Sequence, residues 1–223
     1  MKLLAIETST EACSAAISIN DACAYRYELA PRKHSKLILP MIDSLLSEAD
    51  IKINALDCIC FSHGPGAFTG VRIGISVAQG LAYPHDIPVI GVSSLKTLAQ
   101  QFSKENDHIA TAIDARMNEI YWGLYKKNDE GVMEEITKEK VCAPEDILSP
   151  SKNNWMCIGT GWNKYHEKIK SKFTANITAI KADALPEARG VLELAKNSYQ
   201  KGKFISADKI SPVYLRDNVT KQQ

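Results

Sequence analysis

The chain has 223 residues, enough for one large domain or two small ones, each with its own core. Its 27 basic and 26 acidic residues leave a net charge of +1, which excludes the strong global pull on nucleic acid of a basic domain, so any RNA role needs a local patch or a partner. No apolar stretch approaches the ~20 residues of a membrane span, and Leu3 to Ile6 is too short for a signal-peptide core, so the chain reads as cytoplasmic with no membrane partner.

Lys2 to Glu7 reads as a buried strand and Ala12 to Ile19 as a second. Asn20-Asp21 turns the chain into a third strand running to about Leu29, so a meander opens the fold. From His34 to Ala49 the residues Leu37, Ile38, Met41, Ile42, Leu45 and Leu46 recur at helical spacing. Pro40 sits inside this pattern, where proline costs roughly 3 kcal/mol; packing of the apolar face must offset that, or the helix starts late. A strand at 58–62 follows, then a glycine loop leading into a helix to about Ala82, a strand from Pro88 to Val92 and a helix near Ser94 to Phe102. This alternation predicts an α/β layer with parallel strands after the meander. Ile109 to Asp114 and Glu119 to Lys126 form two more strands joined at Arg116-Met117-Asn118. A polar break at Lys126 to Gly131, a strand at Trp155 to Gly159 and helices near Trp162 to Ile169 and Pro186 to Lys201 complete the reading. The predicted division is a first lobe over 1–104 and a smaller one over 105–223, with the last helix and tail free to return to the first.

The glycine loop and its helix, Phe61 to Gly74, carry the most information. Glycines at a helix start suit an anion, with Gly64, Gly66, Thr69 and Arg72 as contacts and Glu7 at the neighbouring strand end. Yet Val71-Arg72 stands where a P-loop needs Lys-Ser or Lys-Thr, and the third glycine comes one residue late for G-x-G-x-x-G, so a purely structural strand-to-helix turn is the competing reading. The helix keeps a small residue every fourth position, Gly70, Gly74, Ala78 and Ala82, which permits close approach of another helix. Either that neighbour lies in the same domain, or this ridge and the apolar helix form a partner-binding face comprising Leu37, Ile38, Met41, Ile42, Leu45, Gly70, Gly74 and Ala78.

Glu7 and Asp114 close strands, positions that suit magnesium-phosphate binding or plain turn capping. The five histidines form no H-x-x-x-H or H-E-x-x-H spacing, which argues against a metalloprotease; His34 reads as exposed at a helix start and His63 as structural. No G-x-S-x-G elbow occurs. The six cysteines contain no C-x-x-C pair and read as buried thiols.

Six blocks resemble the bacterial TsaB family across nearly the whole chain: Leu4 to Ser14, Pro31 to Ser35 with Leu39-Pro40-Met41, Gly64 to Gly74, Ile113 to Met117, Ile158 to Trp162, and Pro212 to Arg216. The resemblance implies a two-lobed actin-like fold of the sugar kinase and Hsp70 (ribonuclease H-like) type. It also implies a role in installing threonylcarbamoyl on the adenosine beside the anticodon of tRNAs that read codons beginning with A. The catalytic paralogue, TsaD, holds a metal through an Asn-His-x-x-x-His-type segment. By that match the two histidines fall on Ser94 and Leu98, neither of which can stand in for imidazole, so the resemblance implies a non-catalytic subunit with no metal of its own. Expected partners are TsaD as heterodimer, the ATPase TsaE, and tRNA through the complex, with a homodimer in the absence of TsaD and ATP or ADP at the complex junction. The rivals are an autonomous actin-like ATPase or kinase using Glu7, Asp114 and the glycine loop, and, more remotely, a peptidase.

Overall fold

The structure is a computed structural model and describes residues 1–150 and 153–216. The chain opens with strands β1 (Lys2–Glu7), β2 (Ala12–Ile19) and β3 (Ala22–Leu29), paired antiparallel in that order. Asn20 and Asp21 both take positive φ, 47° and 74°, as a two-residue hairpin with right-handed strand twist requires. Helix α1 (His34–Glu48) leads to β4 (Cys58–Ser62), which adds parallel to β1. Helix α2 (Phe68–Ala82) then leads to β5 (Val89–Val92), parallel to β4.

After α3 (Ser94–Gln100) the same plan recurs. Strands β6 (His108–Arg116), β7 (Glu119–Lys127) and β8 (Met133–Cys142) form an antiparallel meander. Strand β9 (Asn154–Ile158) joins parallel to β6, helices α4 (Thr160–Lys164) and α5 (His166–Lys172) follow, and β10 (Asn176–Lys181) joins parallel to β9. Both sheets therefore share one order, β3-β2-β1-β4-β5 and β10-β9-β6-β7-β8 read from opposite edges. This repeated unit makes the fold α/β, two-lobed and actin-like. Helix α6 (Ala188–Gln200) closes the set.

Both faces of the first sheet are covered, which is why β1 reads as an unbroken apolar run. Leu4 and Ile6 pack under Ile38, Ile42 and Leu45 of α1 and Ile75 and Ala78 of α2. Leu3 and Ala5, on the opposite face, pack against Val191, Leu194 and Ala195 of α6. The second sheet sets Trp122 and Trp155 against Trp162 and Phe173 on one side, and Ile109, Tyr125 and Met156 against Leu95, Leu98 and Ala99 of α3 on the other. By packing, then, α3 lies on the second sheet although it precedes β6, and α6 returns to the first; the two helices meet where Gly190 faces the Thr97 carbonyl.

Several local expectations change. The helix does not start late: α1 begins at His34 with Pro40 inside it, exposed, while the inward residues supply the packing. His34 is not exposed but buried, its Nε2–H donating to the Ala12 carbonyl at 3.1 Å and tying α1 to β2. Cys13, Cys58, Cys60 and Cys157 are buried thiols, whereas Cys23 is exposed on the edge strand β3. The edge strands β8 and β10 escape sequence reading because their apolar alternation is weak: β8 exposes Glu134, Glu135 and Lys138, and β10 exposes Asn176, Thr178 and Lys181.

Candidate functional site

At the ends of the two equivalent strands β1 and β6, each carboxylate accepts the backbone N–H two residues on. Glu7 Oε1 takes Ser9 N–H at 2.6 Å and Asp114 Oδ1 takes Arg116 N–H at 3.0 Å. These are side-chain turns that stabilise the strand ends. Glu7 is fully buried, its other oxygen receives the Ser62 hydroxyl, and burial pushes its carboxyl above the usual glutamate range. Asp114 is held by Lys164 Nζ at 3.0 Å, the Tyr165 hydroxyl at 3.3 Å and Arg116 at 3.4 Å.

The glycine loop lies directly on the β1–β2 turn. Ala67 N–H donates to the Ser9 carbonyl at 2.7 Å, and a β-carbon on Gly66 would stand 2.2 Å from that same oxygen. The glycine is there so that backbone can meet backbone, and the Ala67 N–H that an anion would use is already taken. At this turn the gap between the lobes, lined by Ser9, Thr10, Asp114 and Arg116, is about 90 Å³, well under the ~300 Å³ at which ligand pockets begin. This gap, with Glu7 enclosed beside it, does not fit a nucleotide with its magnesium. Glu7 is enclosed, and Gly64 faces the Val213 carbonyl. Arg72 donates to the Tyr214 hydroxyl at 2.9 Å with its guanidinium 3.7 Å from the Phe68 ring centre, while Thr69 is exposed on α2. The structure does not gather Glu7, Gly64, Gly66, Thr69 and Arg72 into an anion site.

The tail crosses this junction. Val213 N–H donates to the His63 carbonyl at 2.9 Å, Tyr214 stacks on Phe68 at 5.8 Å, and Arg216 reaches Glu119 and the Ala115 carbonyl on the second lobe. These contacts answer what Tyr214 does, and sequence reasoning had no way to find them because the pairs are separated by about a hundred residues or more.

The expected partner face also needs correction. Ile38, Ile42, Leu45, Gly70, Gly74 and Ala78 are buried in the first lobe's own core. The small ridge fits the β1–β2 turn: a β-carbon on Gly70 would lie 2.2 Å from the Thr8 carbonyl. Leu37 and Met41 remain half-buried on α1, as do Ile73, Val77 and Leu81 on α2, and the two helices are in contact. Next to this strip, Gly80 has open space where a side chain would go. Half-buried apolar positions therefore remain on both helices: Leu37 and Met41 are two of those that periodicity selected, whereas on α2 they are Ile73, Val77 and Leu81 and not Gly70, Gly74 and Ala78. Within the described residues no helix is long and apolar enough to cross a membrane.

Fold and site together define a two-lobed actin-like protein whose interlobe phosphate position is closed by its own glycine loop and whose first lobe shows an apolar helix pair. Comparison with known proteins makes the assignment specific. A family model described as "TsaD: tRNA N6-adenosine threonylcarbamoyltransferase" matches residues 27–223. A Haemophilus influenzae protein named "tRNA threonylcarbamoyladenosine biosynthesis protein TsaB" is 42% identical, covering 99% of this chain and 95% of its own length. The Escherichia coli protein of the same name is 37% identical, with 98% and 96% covered. A solved structure titled "YeaZ from Pseudomonas aeruginosa" superposes with a TM-score of 0.90 at 42% identity, covering 96% of this chain and 99% of that one. The chain belongs to the TsaB family.

Proposed function

We propose that this chain is the non-catalytic partner of TsaD in threonylcarbamoylation of the adenosine beside the anticodon. The half-buried strip of Leu37, Met41, Ile73 and Val77 carries the reading, because apolar surface shared by two helices is what a helical partner covers. Two further features support it. The positions matched to the paralogue's metal histidines are Ser94 and Leu98, both fully buried, with Leu98 inside the second lobe's core. Glu7, the carboxylate an actin-like ATPase would use, spends one oxygen on the Ser9 N–H of its own turn and the other on the Ser62 hydroxyl of β4.

In this reading TsaD takes the α1–α2 face, and in its absence a second copy of this chain does. TsaE docks on the pair, tRNA enters through the complex, and any ATP or ADP lies at the junction with the partners. The test is reconstituted tRNA modification with and without this chain, alongside ATP turnover by the chain alone. Modification should fall to background on its omission, and the isolated chain should not turn over ATP. Undiminished modification without the chain would refute the subunit role; turnover abolished by Glu7→Ala would favour the autonomous ATPase.

A further inference from the structure

A second interlobe cavity, of about 430 Å³, takes no part in the reading above. It opens at the carboxyl ends of the parallel strands β4 and β5, where His63 and Ser93 leave the sheet, and β8 and α6 form its other walls. Strand carboxyl ends are where α/β folds place ligands, and this volume falls within the range of small-molecule sites.

Its polar groups are of two kinds. At the back, Glu139 is 8% exposed and receives the hydroxyls of Ser93 and Tyr125; burial pushes its carboxyl up. Burial holds the His63 ring below the usual histidine value, and its Nδ1 has no hydrogen-bond partner among the described residues. At the mouth stand Lys96, Lys138 and Lys203, none of them in an ion pair among the described residues, while Lys201 is committed to Glu130 at 2.6 Å. The acids nearby are Glu135 and Glu134, both exposed, the latter accepting from Asn128 at 2.8 Å. Val92, Val132 and Leu194 make an apolar wall between back and mouth.

We infer that this cavity binds a small phosphate monoester, its phosphate at the three unpaired lysines, its apolar body against Val92, Val132 and Leu194, and a polar substituent toward Glu139 and His63. A phosphate dianion suits ammonium groups that approach as separate point charges. The inference does not depend on the pairing with TsaD.

The probe is phenyl phosphate, which combines the phosphate with an apolar ring, titrated into the full chain by ligand-observed NMR at constant ionic strength. Phenol and benzoate serve as uncharged and carboxylate comparators. Saturable binding is expected with a Kd below about 1 mM, and the combined Lys96→Ala, Lys138→Ala, Lys203→Ala variant should weaken it by about tenfold or more at an unchanged melting temperature. The control Lys170→Ala, Lys172→Ala, on α5, should bind as the unmodified chain does. Absence of saturable binding, equal affinity in the triple variant, or equal loss in the control would each overturn the site; benzoate binding more tightly than phenyl phosphate would overturn the phosphate assignment. If the melting temperature of the triple variant falls, Lys138→Ala alone, at an exposed position, replaces it and must still weaken binding severalfold.

Discussion

Gly74 lies directly beneath Thr8: a β-carbon at Gly74 would stand 2.6 Å from Thr8 Oγ1, whose hydroxyl already donates to the Gly70 carbonyl at 2.8 Å. The small ridge of α2 is therefore matched to the chain's own β1–β2 turn. Gly74→Leu should destabilise the isolated chain by about 1–3 kcal/mol or prevent folding, because overpacking a tight contact forces backbone or side chains to shift. Urea denaturation of the variant checks this, and an unchanged midpoint would count against the packing described. Loss of TsaD pairing in this variant would follow from damage to the fold.

Gly80 provides the clean test of the partner face. Nothing lies within 4 Å of the β-carbon it lacks, and it sits one turn beyond Val77 on the same side of α2. Gly80→Glu should raise helix stability by a few tenths to about 1 kcal/mol, while a charge at the seam lowers affinity for TsaD by about tenfold or more. Size-exclusion chromatography and calorimetric titration with TsaD read both effects. Normal pairing by a well-folded variant would move the interface elsewhere.

The buried Glu7 carboxyl makes stability depend on pH. Its folded value is raised, first by burial, so its contribution is full below the ordinary glutamate value and is lost as pH rises through the folded value. His63 works in the opposite direction: its lowered folded value gives a contribution present above the ordinary histidine value and lost as pH falls through the folded one. Glu7→Gln should therefore gain stability relative to the parent chain as pH goes from 5 to 8 on the pH scale. Urea midpoints of both proteins across that range decide it; parallel curves would show that Glu7 does not titrate differently on folding.

The tail ties the lobes together through few contacts, so each should matter measurably. Tyr214→Ala removes the stack on Phe68 and the acceptor for Arg72, and should cost about 0.5–1.5 kcal/mol. Hydrogen exchange should quicken at the glycine loop and at the β6–β7 turn, both of which the tail touches through His63, Ala115 and Glu119. Exchange confined to residues after Tyr214 would show that the tail rides on the surface without holding the lobes.

Much of the order of elements was legible in the residues. Apolar runs such as Leu3 to Ile6 and Cys58 to Phe61 mark strands buried on both faces, and Asn20-Asp21 marks a hairpin because few residues accept its backbone angles. The glycine loop announces close packing, and the missing P-loop lysine weakens the nucleotide reading from sequence alone. Periodicity, however, reports only that a helix has an apolar side. It identified Ile38, Ile42 and Gly74 as interesting without saying whether the thing they meet belongs to this chain.

What the sequence determined by itself was local and periodic: the meander, the alternation of strand and helix, the tight turn and the absence of histidine pairs at metal spacing. Only the tertiary structure decided that Gly70 and Gly74 of α2 are spent on Thr8 and Gly66 of the loop on Ser9, that α3 and α6 exchange sheets, and that Tyr214 closes on Arg72. The physical reason is that each of these depends on contacts between residues far apart along the chain, whose partners are chosen by shape and burial once the sheets have formed. Residue spacing carries no record of that choice.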